Sequence, residues 1–178
     1  MIWLDDYLSG KGVRGRTLVV GSKQYKTKPD RRELYDYALG LDLESGPGVD
    51  IVFDLENPLP ESFGKFDHID CVSVLEHVQR PWILCANIER LMKPNATILV
   101  SVPFVWRVHA YPSDYWRITA NTLPILFPNI EWQERGYTNE RGWVKKAEAL
   151  TVDGMVYMQK TEVVAFGIRN PDNARHLH

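Results

Sequence analysis

Apolar residues fall in short dense bursts, separated by polar connections rich in glycine and proline. The burst at 66–78 reads Phe-Asp-His-Ile-Asp-Cys-Val-Ser-Val-Leu-Glu-His-Val. Its Ile69, Cys71 and Val72 suit a strand covered on both faces, and Glu76 and His77 stand where that strand stops. Residues 17–20, 38–43, 51–53 and 97–102 read as further strands, with 130–135 and 162–168 as candidate sixth and seventh. Gly21-Ser22, Asp42, Asp54 and Pro103 mark their ends. Leu84, Ile88, Leu91 and Met92 recur at helical spacing behind Pro81, and Pro94-Asn95 is expected to stop that helix. A short helix is expected near 120–126, and only a weak helical patch at 31–35 separates the first two strands. Strands alternating with connecting segments predict a mostly parallel sheet in a single domain, 1–178.

Residues 2–9 could form an amphipathic helix with Trp3, Leu4, Tyr7 and Leu8 on one face, before Gly10, Gly12 and Gly15 interrupt it. Residues 1–16 therefore read as a lid or docking segment over a cleft, with a frayed end as the alternative. Residues 17–127 form the expected core and 128–178 the C-terminal strands.

Composition narrows the partners. A chain of 178 residues, 44% hydrophobic, is about one domain. A net charge of -2 gives no electrostatic reason to expect nucleic acid or an anionic membrane. Cys71 and Cys85 are the only cysteines, and two buried thiols are favoured over a disulfide. No signal peptide or membrane-length apolar run is present, so a cytoplasmic location is expected. His176 and His178 carry no argument.

Candidate chemistry sits at the strand ends, since ligands of open α/β sheets bind beyond the carboxyl ends of the strands. Asp42 lies about 20 residues past the Gly21 turn, where an acid can accept two hydrogen bonds from ribose hydroxyls; the alternative is an acidic strand terminus facing water. Asp54 would reach an adenine amino group, or else cap the following turn. The turn Gly-Ser-Lys-Gln-Tyr lacks the G-x-G-x-x-G that a pyrophosphate needs, which argues against a dinucleotide. His77 and His109 are candidate proton acceptors, against structural or loop roles. Tyr111, Asp114, Tyr115, Trp116 and Arg117 look like an acceptor wall; alternatively Asp114 and Arg117 pair and the segment packs onto the sheet. Trp82, Trp132 and Trp143 read as packing residues. Glu76 and His77 offer one carboxylate and one imidazole, too few for magnesium, and no zinc spacing is present, so no metal is expected.

Several segments in order resemble a class I S-adenosylmethionine-dependent methyltransferase, especially the type-11 group. They are Val-Val-Gly-Ser at 19–22, Gly-Leu-Asp-Leu at 40–43, Gly-Pro-Gly-Val-Asp at 46–50 and Phe-Asp-Leu-Glu-Asn at 53–57. Val-Leu-Glu-His-Val at 74–78, Arg-Leu-Met-Lys-Pro at 90–94, Pro103-Phe104 and Tyr-Pro-Ser-Asp-Tyr-Trp-Arg-Ile-Thr at 111–119 complete the set. The resemblance covers roughly 17–127. It implies a Rossmann-like, seven-stranded sheet with helices on both faces, here shortened between strands 1 and 2. It implies S-adenosylmethionine as cofactor: Gly21 and Ser22 beside the methionine part, Asp42 on the ribose, Leu43 on the adenine, Asp54 and Leu55 at the adenine edge, Ser73 and Val74 beneath the sulfonium. The implied reaction is in-line methyl transfer to a small-molecule or sugar-like acceptor. The missing G-x-G after strand 1 departs from the pattern and leaves a non-catalytic binding protein as the alternative.

Overall fold

The computed structural model describes residues 7–8, 10–25, 29–109, 112–139, 142–144 and 161–170. Eight strands form one sheet: β1 (Arg16–Val20), β2 (Tyr37–Asp42), β3 (Ile51–Val52), β4 (Phe66–Val72), β5 (Met92–Val105), β6 (Ile130–Asn139), β7 (Gly142–Val144) and β8 (Thr161–Arg169). Their order is β3-β2-β1-β4-β5-β8-β6-β7. The first five are parallel, with Val20 opposite both Leu41 and Cys71, and Cys71 opposite Val100. β8 inserts antiparallel between β5 and β6. The seven expected strands are present; the eighth, β7, is a three-residue return paired antiparallel with the end of β6.

Side-chain alternation divides the strands between two faces. Leu18, Val20, Leu41, Ile69, Cys71, Ile98, Val100, Val163 and Ala165 enter the main core. Helix α1 (Pro81–Leu91) covers that face with Leu84, Cys85, Ile88 and Leu91, and the one-turn helix α2 (Leu123–Leu126) adds Leu123. Both cysteines are free and buried there, as their apolar settings predict. Among the described residues the opposite face has a smaller cluster. Val72, Leu99, Val164 and Phe166 meet Leu8, Tyr7, Val13 and Tyr35. Between β1 and β2 the described residues form only a 3-10 turn, Arg31–Leu34, capped by the Asp30 carboxylate.

The second face also holds a buried polar group. Arg31 Nη2 and the Tyr35 hydroxyl both donate to Asp70 Oδ2 at 2.5 Å. His68 is fully buried, with Nδ1 2.7 Å from Thr97 Oγ1. Burial pushes its imidazole pKa down to about 4, outweighing the Asp70 charge.

Two expected boundaries move. α1 ends at Leu91, before Pro94-Asn95, because β5 starts at Met92 opposite Phe66. Pro103 does not end β5; pairing with β8 continues to Val105 through a register shift between Pro103 and Val105. Proline lacks an N–H, and a bulge accommodates the missing donor. Of the N-terminal segment, Tyr7 and Leu8 are helical, Leu8 lies on the second face, and the Tyr7 hydroxyl donates to Glu134.

Candidate active site

The parallel order β3-β2-β1-β4 gives these strands a common carboxyl edge, where Asp42, Gly21 and Ser73 follow one another across the sheet. Gly21 has φ +69, and a Cβ there would lie 2.7 Å from Val74 Cγ2. Only glycine fits, so the chain leaving β1 touches the chain leaving β4. Ser73 is itself left-handed, φ 56, with its N–H donating to the Ser101 carbonyl at 2.8 Å. That kink turns the chain off β4 into a 3-10 turn, Leu75–His77.

Asp42 is half-buried at the end of β2, and its Oδ2 accepts from the Lys23 N–H at 2.9 Å. The loop after β1 thus folds onto β2 instead of forming a glycine cradle. Leu43 beside it is 53% exposed. Three expected positions turn elsewhere. Ser22 is buried because Gly40 and Gly48 leave room for it; a Cβ on Gly40 would meet Ser22 Oγ at 2.5 Å. Asp54 caps its own turn, accepting from the Glu56 N–H at 2.8 Å and from Asn57 Nδ2 at 3.3 Å. Leu55 is a core residue, 2% exposed, so its side chain is not offered to an adenine.

Beyond β4 the chain gathers Glu76, His77 and His109. One ligand-capable atom of each lies within 4.8 Å of the others. Glu76 is 1% exposed, and neither carboxylate oxygen accepts a hydrogen bond from another residue. Burial raises its pKa to about 7, with Asp114 adding to the rise and its own backbone N–H and Arg117 opposing it. His77 Nε2 is 3.6 Å from Glu76 Oε1, and its Nδ1 is 2.7 Å from the Ser113 carbonyl oxygen. The His77 and His109 rings meet edge to face at 4.8 Å. The segment carrying His109 is pinned to the turn: Tyr115 N–H donates to the Glu76 carbonyl at 2.7 Å and Trp116 Nε1 to the Val78 carbonyl at 2.8 Å.

The expected acceptor wall divides. Arg117 chelates the Asp114 carboxylate with both terminal nitrogens and also donates to the Trp106 and Arg107 carbonyls. This guanidinium holds Asp114 well below the usual carboxylate range. Asp114 and Arg117 therefore brace the loop, which is the packing alternative weighed from the sequence. Tyr115 and Trp116 remain 45% and 39% exposed. Tyr111 lies outside the described residues. Sequence reasoning named Glu76 only at the strand's end and as an insufficient magnesium ligand, not as a buried acid; Trp82, expected to pack, is 54% exposed and faces the Trp116 ring at 6.4 Å. Its place beside Pro81, four residues past the cluster, was the available signal.

Strand order and the inserted antiparallel β8 match the Rossmann-like fold of solved methyltransferase structures. The sequence model of the family described as Methyltransferase domain matches residues 33–100, the approach to β2 through the middle of β5. No curated protein sequence matches the chain. Among solved structures, the chain is 14% identical to 1,6-didemethyltoxoflavin-N1-methyltransferase of Burkholderia thailandensis, crystallised with 1,6-didemethyltoxoflavin and S-adenosylhomocysteine. That match covers 93% of this chain and 76% of the other, with a TM-score of 0.65. The N-methyltransferase NodS of Bradyrhizobium japonicum WM9, in complex with S-adenosyl-L-homocysteine, is 12% identical over 96% of this chain and 87% of its own, with a TM-score of 0.59. A 16S rRNA (adenine(1408)-N(1))-methyltransferase of Catenulisporales acidiphilia is 13% identical, covering 93% and 92%, with a TM-score of 0.55. Among the described residues no helix is long and apolar enough to cross a membrane.

Proposed function

We propose that the protein binds S-adenosylmethionine across the carboxyl edge of β1, β2 and β4 and transfers its methyl group to a small-molecule or sugar-like acceptor. The observation that carries this reading is the convergence of Gly21, Asp42 and Ser73 on one sheet edge, with the Glu76–His77–His109 cluster immediately beyond. Asp42 would take the ribose hydroxyls and exposed Leu43 the adenine face. Gly21, Ser73 and Val74 would line the path to the sulfonium, and Ser22, Asp54 and Leu55 would contribute through backbone only.

The sulfonium methyl is already electrophilic, so the protein's task is alignment and exclusion of water. In-line displacement forms the bond from acceptor oxygen or nitrogen to methyl carbon as the carbon–sulfur bond breaks and sulfur keeps the electron pair. The acceptor's proton must leave, and His77 or His109 would receive it. Tyr115 and Trp116 would offer the acceptor partly exposed aromatic faces, the Trp116 N–H being already given to the Val78 carbonyl.

A second reading has its own support. The β1–β2 loop, with Ser22 packed inward and Lys23 N–H on Asp42, differs from a glycine cradle, which suits a cofactor-binding protein without turnover. Labelled S-adenosylmethionine incubated with sugar and small-amine acceptor panels separates the two. Label transfer that is lost in Asp42→Ala supports the enzyme. Tight binding of S-adenosylhomocysteine with no transfer across the panel supports the binding protein, and no binding of either compound sinks both.

A further inference from the structure

We propose that Trp82, Trp116 and Tyr115 form a shelf that binds neutral carbohydrate, holding the sugar next to the methylated one in an oligosaccharide acceptor. The methylation rests on the reading above; the sugar contact does not. Large aromatic rings are usually well buried, yet Trp82 and Trp116 are 54% and 39% exposed. Their ring centroids lie 6.4 Å apart with planes at 77°. The two indoles therefore make a corner, one ring a floor and the other a wall.

The corner is held in place by its frame. Trp82 stands in the first turn of α1, directly after buried Pro81. Trp116 is fixed by its indole N–H, which donates to the Val78 carbonyl at 2.8 Å. Tyr115 is fixed at both ends: its backbone N–H donates to the Glu76 carbonyl at 2.7 Å, and its hydroxyl accepts from Gln79 Nε2 at 3.2 Å. Rings ordered before a ligand arrives lose little entropy on binding it.

Charge and polarity select the ligand. Glu56 accepts from the Gln79 N–H at 3.0 Å and from Arg80 Nε at 2.7 Å, so this acid and this base answer each other. Neither an anion nor a quaternary ammonium finds an unmatched counter-charge in that pair. Hydrogen-bonding capacity does remain. The Tyr115 hydroxyl, accepting from Gln79, keeps its own hydrogen to donate, and the Gln79 amide oxygen can accept. The face of an aromatic ring is negative, and the flat side of a pyranose presents slightly positive C–H hydrogens to it, while its edge carries hydroxyls. An apolar face with a polar, uncharged rim is the chemistry that this corner matches.

Placement makes the bound sugar a neighbour of the reacting one. Glu76 anchors Tyr115 through its carbonyl, so the shelf begins where the Glu76–His77–His109 cluster ends. Trp82 lies five residues beyond His77, no more than about 18 Å along the chain. A sugar whose hydroxyl reaches the cluster leaves Trp82, on a different element, to the sugar linked to it.

The test titrates the full chain, by calorimetry, with neutral trisaccharides of glucose, galactose, mannose, rhamnose and N-acetylglucosamine, each beside its methyl monoglycoside. At least one trisaccharide should bind ~10-fold more tightly than its monoglycoside. Trp82→Ala, folded by circular dichroism, should abolish that gain, while Trp82→Phe keeps part of it. Ile125→Ala, at an exposed position of α2, should change nothing. The proposal is overturned if no trisaccharide outbinds its monoglycoside, or if the gain survives in folded Trp82→Ala. It is equally overturned if choline or adenosine monophosphate binds more tightly than any saccharide and loses that binding in Trp82→Ala. A parallel S-adenosylhomocysteine titration separates the two readings: saccharide binding without cofactor binding sinks the methyltransferase and leaves the shelf, and the reverse sinks the shelf alone.

Discussion

Asp42 and Leu55 show what single residues disclose and conceal. Asp42 was legible because a strand's end is set by its apolar run, and a carboxylate placed there must face the sheet edge. Leu55 was not, because its side chain's direction depends on the turn that Asp54 caps, and that turn sends it into the core beside α1. Asp114 and Arg117 were equally ambiguous: a charged pair three apart can grip a ligand or each other, and bidentate geometry chose the second. Replacing Asp42 with Ala should weaken S-adenosylhomocysteine binding by at least ~10-fold in calorimetry, about 1.4 kcal/mol. His68 gives a pH prediction. Its folded pKa, about 4, lies below the unfolded value near 6.5, so the unfolded chain takes up a proton that the folded chain refuses. Its contribution is therefore intact above about pH 6.5 and fades as pH falls toward 4. Urea unfolding at pH 7 and pH 5 should differ by about 2 kcal/mol from this group alone. His68→Leu should lack that component; an equal pH dependence in the variant would contradict the assignment.

At the scale of elements, hydrophobic bursts located the strands, while their ends depended on partners that spacing does not reveal. β5 runs through Pro103 because β8 returns alongside it, a contact between segments about 60 residues apart. Junctions between elements carry two predictions. Gly21→Ala should lower stability, since a Cβ would lie 2.7 Å from Val74 Cγ2 at positive φ. Adding Val74→Ala should recover part of the loss, because it removes the clash but leaves the backbone strain; full additivity in thermal unfolding would disprove the contact. On the far side of the main core, buried Glu89 of α1 accepts from both the Asn129 backbone N–H at 2.9 Å and its side-chain amide at 2.7 Å. Asn129→Ala should cost about 1–3 kcal/mol by urea titration, as a buried acceptor loses its partner.

Across the whole molecule, the sheet order turns scattered strand ends into one edge. Gly21, Asp42, Ser73 and Glu76 span 56 positions of chain, and parallel pairing alone makes them neighbours. Among the described residues the second face is met by a smaller cluster, and the β1–β2 connection contributes a 3-10 turn, Arg31–Leu34, with Tyr35. Sequence spacing conveyed the shortening but not the Arg31–Asp70–Tyr35 group beneath. The central claim is that this edge grips one adenosine and aims a methyl group at the Glu76–His77–His109 cluster. A crystal structure with S-adenosylhomocysteine tests it most directly. The ribose hydroxyls should lie within hydrogen-bond distance of Asp42, with the sulfur between Gly21 and Ser73 and facing that cluster. A ligand seated elsewhere, or with its sulfur turned from the cluster, would contradict the account.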